Sequence, residues 1–230
     1  MKRSEINTIV QKFEALLEKY RFALPPYLFF PPEDWAKKGH DYDEIRDNML
    51  GWDVTDYGMG HFDELGLALI TLRNGNVNDP KYNKVYAEKI MMLDEGQLSP
   101  MHFHWNKMED IINRGGGTLV MQLYCSDEQE ELDRNAAVEI VSDGVRMTLE
   151  PGALLELQPG QSVTLPQKVY HAFWAKRGTG PVLIGEVSQC NDDESDNRFW
   201  QAVGRFPEIE EDVPPIRLLC NEYPPAAEPV

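Results

Sequence analysis

The sequence predicts an all-β barrel with an α-helical extension at its N-terminus. Three observations support this prediction: an amphipathic helical pattern near the start of the chain, a series of short β-prone runs from Leu65 onward, and a length of 230 residues of which 42% are hydrophobic. Antiparallel barrels of this size commonly form a single domain with peripheral additions. We therefore expect one barrel, over residues 65–190, rather than two full domains.

Residues 1–64 are predicted to form a helical and proline-rich extension that packs on the barrel. Ser4 can cap a helix over residues 4–20, because apolar residues recur there at helical spacing with polar residues between them. This apolar stripe must pack either on the outside of the barrel or on a second subunit. The stripe consists of Ile6, Ile9, Val10, Phe13, Leu16 and Leu17.

Prolines determine the predicted conformation of the next part of the extension. Two Pro-Pro pairs within residues 24–32 favour an extended apolar strap, since proline cannot continue the helix. A short helix is predicted to start at Pro31, and residues 42–50 indicate another helical turn. Glycines at positions 51, 58 and 60 then interrupt the chain.

The barrel itself is predicted from runs that are rich in β-branched and apolar residues and are separated by Gly, Asn, Asp and Pro. Beyond the barrel, residues 191–230 are acidic and proline-rich and are expected to form a strap and tail, with a short helix over 197–203 and solvated acidic runs at 192–194 and 208–212. The β-prone runs are 67–71, 89–93, 118–124, 138–141, 145–149, 153–157, 162–165 and 182–187.

Composition excludes several classes of function. A formal net charge of -17 disfavours a nucleic-acid or anionic-membrane partner, because long-range repulsion opposes every encounter. The three cysteines lie far apart and form no Cys-x-x-Cys pair, which argues against a disulfide framework or zinc knuckle. No apolar signal core or long membrane-spanning stretch is apparent, so we expect a cytoplasmic protein.

Histidines mark a candidate metal site. His102 and His104 are two residues apart, which places both imidazoles on one face of a strand while Phe103 points the other way. Glu109 follows in another β-prone run, and His171 lies far downstream in an apolar run. A lone strand histidine is more often a core or surface residue, and His40 and His61 are interpreted that way.

The spacing of these residues resembles the first cupin motif: Gly96, His102, His104, Glu109 and Gly116 match every position. The second motif is matched less fully. Gly160, Pro166 and His171 fit, whereas Lys168 replaces the inner glycine and Ala175 replaces the final asparagine. The resemblance implies a cupin barrel, also called a double-stranded β-helix or jelly-roll barrel, in which His102, His104, Glu109 and His171 bind one divalent metal.

Three segments, 88–97, 102–117 and 185–193, further resemble the D-lyxose isomerase family, and the resemblance extends over most of the chain. It implies interconversion of D-lyxose and D-xylulose, often also of D-mannose and D-fructose, assisted by Mn²⁺. A shell of three nitrogens and one oxygen also suits Fe, Co and Zn. The expected partner is a neutral sugar, and family habit suggests a homodimer.

Two residues are candidates for proton transfer through an enediol. Lys107 stands two positions before Glu109 and shares its face if the strand is regular; the alternative is a rim lysine in the turn after Trp105. Glu186 lies in an apolar strand, where a carboxylate must face a polar cavity or lose hydration. Its inward phase is open, since both faces of that strand are apolar. Phe173 shares the face of His171 and is the candidate for sugar binding.

Two other functions use the same four ligands. An Fe(II)-dependent cupin dioxygenase needs oxygen, and a non-catalytic sugar-binding cupin needs no protonatable side chain beside the ligands. Lys107 and Glu186 are the features that favour an isomerase over the binding protein.

Overall fold

Two antiparallel β-sheets form the central part of the computed structural model, which describes residues 1–193 and 195–228. The strands of the described residues are β1 (Gly51–Thr55), β2 (Leu67–Arg73), β3 (Tyr86–Leu93), β4 (Leu98–Phe103), β5 (Glu109–Gly116), β6 (Leu119–Ser126), β7 (Leu132–Asp133), β8 (Val138–Ser142), β9 (Val145–Leu149), β10 (Leu154–Leu157), β11 (Ser162–Leu165), β12 (Val169–Ala175), β13 (Val182–Gln189) and β14 (Arg198–Phe199).

The larger sheet has the order β1-β2-β3-β13-β5-β11-β8-β9, and the smaller has the order β10-β6-β12-β4-β14 with β7 beside β6. Their inner faces enclose an apolar core, and each strand alternates its side chains between the core and the outside. In β13, Val182 and Ile184 belong to this core, whereas Leu183 faces outward into a second cluster. The predicted all-β cupin barrel is confirmed.

Helix α1 (Arg3–Lys19) covers the outer face of the larger sheet. Phe13 meets Trp52 of β1 edge to face, with ring centroids 5.8 Å apart. The predicted amphipathic helix is therefore present, and its apolar stripe is buried within the chain without a second subunit. The predicted cap is wrong: Lys2 is the N-cap, and Ser4 lies in the first turn, where its hydroxyl donates to Asp212 at 2.6 Å.

The proline-rich strap is not extended along its whole length. Residues Pro26–Phe29 form a 3₁₀ turn rather than an extended segment, before helices α2 (Pro32–Trp35) and α3 (Asp43–Asp47).

The second cupin motif keeps its turn although one residue departs from the pattern. Lys168, at the glycine position of this motif, has φ of 61° and so adopts the left-handed conformation that glycine favours. The turn of the motif thus survives the substitution.

The C-terminal segment returns across the barrel. The helix predicted over 197–203 is wrong, because Arg198–Phe199 forms β14, which pairs with the edge of β4. An exposed sheet edge offers unpaired peptide groups, and pairing with it satisfies them. Further along, Arg3 N–H donates to the carbonyl of Glu210 at 2.9 Å, which ties the segment to α1. No helix of the described residues has the length and hydropathy to span a membrane.

Arg3 is expected to contribute strongly to this closure. Its side chain is 1% exposed and bonds Glu211 at 2.6 and 2.9 Å and also Glu222. Arg3→Met should lower the free energy of unfolding by about 2 kcal/mol, because two partly exposed carboxylates lose their partner. That loss corresponds to a melting temperature lower by roughly 4–8 °C, measured by calorimetry.

The matched control is Lys12→Met on the same helix. Lys12 pairs with Asp94 at 2.6 Å but is mostly exposed, so this change should cost less than about 1 kcal/mol. Equal losses for the two variants would contradict the assignment of Arg3 as the anchor.

Candidate metal centre and active site

Three histidines converge at one end of the barrel because two adjacent strands carry them. His102 lies in β4, His104 follows directly after that strand, and His171 in β12 pairs with His102 in register. The ligand atoms of the three rings lie within 4.8 Å of one another. His104 and His171 are buried, and His102 is partly buried. Burial and the two neighbouring histidines hold the pKa of His102 well below its usual value.

The hydrogen bonds of the rings orient the free nitrogens. Each Nδ1 donates to a backbone carbonyl: His102 to Pro100 at 2.7 Å, His104 to Asp196 at 2.9 Å and His171 to Val169 at 3.0 Å. A ring that donates from Nδ1 while neutral leaves an unprotonated lone pair on Nε2. Backbone carbonyls commonly orient metal-binding histidines in this way.

Glu109, at the start of β5, lies against this cluster. Its Oε1 is 3.1 Å from Nε2 of His171, and its Oε2 is 3.5 Å from Nε2 of His104. Burial opposes the charge of Glu109, but the ammonium group of Lys107 holds its pKa well below the usual value. The Nε2 atom of His171 is buried without a hydrogen-bond partner among the described residues. Lone pairs that face each other at this distance repel unless a proton or a metal cation lies between them, and three imidazoles with one carboxylate are a ligand set that fits a divalent metal.

Lys107 and Glu186 form a buried ion pair beside the cluster. Lys107 is 3% exposed, and its Nζ lies 2.8 Å from Oε1 of Glu186 and 2.8 Å from Oε2 of Glu109. Burial opposes the charge of Lys107, but the two carboxylates outweigh it and raise its pKa above the ordinary value. Lys107 therefore stays an ammonium group. Glu186 faces the barrel interior in phase with Ile184, which answers the question of phase that the sequence leaves open.

A cavity of about 60 Å³ connects these groups. Phe173 lines it and lies nearly parallel to His171, with ring centroids 6.4 Å apart. Tyr57 also lines it, but burial raises the pKa of Tyr57 to about 12, so its phenol remains protonated. Tyr170 instead packs on Phe103 on the opposite face of the sheet, at 4.7 Å between ring centroids. Phe173 is thus placed at the candidate site, as its parity with His171 predicts.

Sequence reasoning missed Lys89 of β3. Its Nζ lies 3.7 Å from Oε1 of Glu186 and 3.6 Å from Oδ1 of Asp193, and the side chain is about 7% exposed. The signal was available: Lys89 shares its inward parity with the core residues Met91 and Leu93. The reasoning applied to Glu186, that a charged side chain in an apolar strand must face a polar cavity or lose hydration, would have identified Lys89 as well.

The acidic run after the barrel is not simply a solvated face. Asp193 lines the cavity, and its carboxylate accepts from Arg205 at 2.7 Å, while the same guanidinium group donates to Asp53 at 2.5 Å. Burial opposes the charge of Asp193, but Lys89 and Arg205 hold its pKa well below the usual value. Glu194, the next residue of that run, lies outside the described residues. No sequence pattern indicated that Arg205 would return to the barrel.

Asp196 is expected to position Lys107. Its carboxylate accepts from the backbone N–H of Asn106 at 2.8 Å and of Lys107 at 3.0 Å. Asp196→Asn would turn an amide N–H₂ toward one of these donors, so it should destabilise the protein by about 1–3 kcal/mol and lower turnover. Urea denaturation and steady-state kinetics measure the two effects.

Asp133→Asn is the control for this substitution. Asp133, at the end of β7 and outside the cavity, accepts from the N–H groups of Asn135 and Ala136 through a single oxygen, Oδ1. Asparagine keeps such an oxygen, so this variant should lose less stability than Asp196→Asn and no turnover. Normal turnover in Asp196→Asn would contradict the positioning role.

A β-barrel closed around three converging imidazoles, a buried carboxylate and an adjacent lysine defines a cupin-fold enzyme with a candidate metal centre. The model of the D-lyxose isomerase family matches residues 1–223, and the chain belongs to this family. It is therefore a member of a family of sugar isomerases.

Two curated relatives support this assignment. A D-lyxose/D-mannose isomerase of Serratia proteamaculans is 47% identical over 224 residues, which cover 97% of this chain and 98% of the relative. A D-lyxose/D-mannose isomerase of Escherichia coli O157:H7 is 46% identical with the same coverage. Each relative is matched over nearly its whole length.

Solved structures share the fold at lower sequence identity. The L-ribose isomerase of Cellulomonas parahominis with L-ribose aligns with a TM-score of 0.58 at 16% identity, covering 91% of this chain and 98% of that one. The L-ribose isomerase of Geodermatophilus obscurus gives 0.57 at 17% identity, with 90% and 98% coverage. At such identities the likeness concerns the fold alone.

Proposed function

We propose that this protein is a metal-dependent aldose–ketose isomerase that interconverts D-lyxose and D-xylulose, and also D-mannose and D-fructose. Membership of the D-lyxose isomerase family and the names of the two bacterial relatives support the substrates. The observation that carries the reaction type is the Lys107–Glu186 ion pair beside the cluster of histidines and Glu109, all lining one cavity.

The proposed metal is Mn²⁺, held by His102, His104, Glu109 and His171. Three imidazole nitrogens and one carboxylate oxygen form a mixed shell that also accepts Fe, Co or Zn. When bound, a divalent cation supplies Lewis-acid polarisation of the sugar's carbonyl and neighbouring hydroxyl oxygens. The proposed substrate of the protein is a neutral sugar. The homodimeric state and the cytoplasmic location remain predictions from the sequence.

Glu186 is proposed as the base that moves the proton. In the aldose-to-ketose direction, its carboxylate takes the proton from C2, which leaves an enediolate, and returns that proton to C1 while the proton of the C2 hydroxyl passes to the oxygen on C1. One hydrogen bond keeps this carboxylate oriented: Lys107 donates to Oε1 at 2.8 Å, whereas the hydroxyl of Ser188 lies closer to the carbonyl of Gln189, at 2.8 Å, than to Glu186. The oxygen Oε2 is left for the substrate.

Lys107 is proposed to stabilise negative charge on the reacting oxygens. Because two carboxylates keep it protonated, it acts through its positive charge and cannot act as a base; its three N–H donors already face Glu109, Glu186 and Asn191. A fixed ammonium group in a buried site stabilises a developing oxyanion more effectively than water does. Aromatic walls from Phe173 and Phe199 exclude water from the same space.

An aldose panel tests the proposal. The protein is stripped with a chelator, reloaded separately with Mn, Co, Fe or Zn, and assayed for ketose formation from D-lyxose, D-mannose and control aldoses under anaerobic conditions. We expect activity to vanish on chelation, to return best with Mn, and to be highest with D-lyxose or D-mannose.

Two results would contradict the proposal. Oxygen consumption that depends on Fe and on substrate, without anaerobic ketose formation, would identify the dioxygenase. Sugar binding with no turnover under any metal would identify a binding protein.

A further inference from the structure

A second cavity lies behind the candidate active site. Its volume is about 330 Å³, compared with about 60 Å³ for the cavity beside the histidines, and it lies within the usual range for small-molecule sites. Asp193 and Arg205 line both cavities and so form the wall between them. The second cavity includes none of the four candidate metal ligands in its lining.

Asparagine side chains dominate one wall of this cavity, and they hold one another in place. Asn48 donates to the carbonyl of Asn74 at 3.3 Å, and Asn76 donates to Oδ1 of Asn48 at 3.4 Å. Asn74 donates to the carbonyl of Asn191 at 2.9 Å and accepts from its N–H at 2.9 Å. An amide offers two donors and two acceptor lone pairs, so these groups keep spare capacity while being preorganised.

Two buried atoms of the lining have no hydrogen-bond partner among the described residues. They are Oδ1 of Asp53 and Nη1 of Arg205. The second carboxylate oxygen of Asp53, Oδ2, accepts from Nη2 of Arg205 at 2.5 Å. Asp53 is 2% exposed. Unsatisfied buried polar atoms are unfavourable, but both are enclosed by protein, so a ligand hydroxyl reaches them only if the Asp53–Arg205 pair moves.

The charges of the cavity favour a neutral ligand. Four aspartates line the cavity, and each has a partner: Asp53 and Asp193 pair with Arg205, Asp47 accepts from the hydroxyl of Tyr82 at 2.5 Å, and Asp192 accepts from the hydroxyl of Ser195 at 2.5 Å. These partners weaken the attraction for a cation, and the formal charge of -17 for the chain disfavours an anion. Phe206 adds an apolar ring to the lining, which suits the C–H faces of a sugar.

We propose that this cavity is a second binding site, separate from the metal centre, for a neutral polyhydroxyl compound of the size of a five- or six-carbon sugar or polyol. Hydroxyl groups of the ligand bond the asparagine amides of the lining. The proposal does not depend on the isomerase reaction.

Xylitol is a suitable probe, because it has five hydroxyl-bearing carbons and no carbonyl group to isomerise. Its binding is measured by titration calorimetry on the whole protein, both wild type and His102→Ala. The His102→Ala variant impairs the metal centre, so it separates the two sites. We expect His102→Ala to bind xylitol with an affinity within about twofold of the wild-type second site.

Substitutions in the second cavity complete the test. In the His102→Ala background, Asn76→Leu and the isosteric Thr71→Val should each weaken xylitol binding by about tenfold or more, since each removes a polar group from the lining. Thr71→Val keeps the test valid if Asn76→Leu fails to fold. Loss of binding in His102→Ala alone, or unchanged affinity in a folded cavity variant, would overturn the proposal.

Discussion

Replacing His171 by alanine is expected to lower metal affinity by more than about 100-fold and to abolish isomerase activity. Loss of an outer-shell partner of a metal ligand already costs 10–100-fold, so loss of a ligand should cost at least as much. His171 contributes a buried Nε2 that has no other hydrogen-bond partner among the described residues. The metal content of the dialysed protein and the rate of ketose formation measure the two effects.

His40→Ala is the matched control. His40 is exposed, and its Nδ1 bonds Asp43 at 2.9 Å on the surface. Metal content and activity should be unchanged in this variant. If His171→Ala retains stoichiometric metal after dialysis, the assignment of His171 as a ligand is wrong.

Glu186→Gln is expected to lower turnover by about 10²–10⁴-fold while the bound metal remains. Glutamine keeps the shape of glutamate but cannot accept and return a proton at neutral pH. Glu186 is only 4% exposed, and its Oε1 lies 2.8 Å from Nζ of Lys107. A water molecule therefore cannot easily take over its role as the base. Solvent deuterium exchange at C2 of the aldose, followed by NMR, reports the proton-transfer step directly.

The control for this variant is Glu139→Gln, an exposed glutamate on β8. It should leave turnover and metal content unchanged. Rapid deuterium exchange at C2 in Glu186→Gln would assign the proton transfer to another group, whereas loss of metal would show that Glu186 acts on the centre rather than on the sugar.

Local patterns explain which parts of the molecule were predictable. Amphipathic spacing predicted α1, and β-branched runs predicted most strands of the barrel to within a few residues. Strands β1, β7 and β14 escaped prediction. Strand β1 lies where glycines were expected to interrupt the chain after the helical turn of residues 42–50. Strands β7 and β14 are only two residues long, and β14 forms because β4 offers it an edge.

The sequence by itself determined the fold class, and strand alternation placed His102 and His104 on one face because their spacing is a local property. The resemblance to the cupin motifs added Glu109 and His171 to the same cluster. Only the tertiary structure decided that Glu186 faces inward. It also decided that Lys89, Asp193 and Arg205 return to the same site. The physical reason is that burial and pairing of charges depend on contacts between residues far apart in the chain, which no local pattern records.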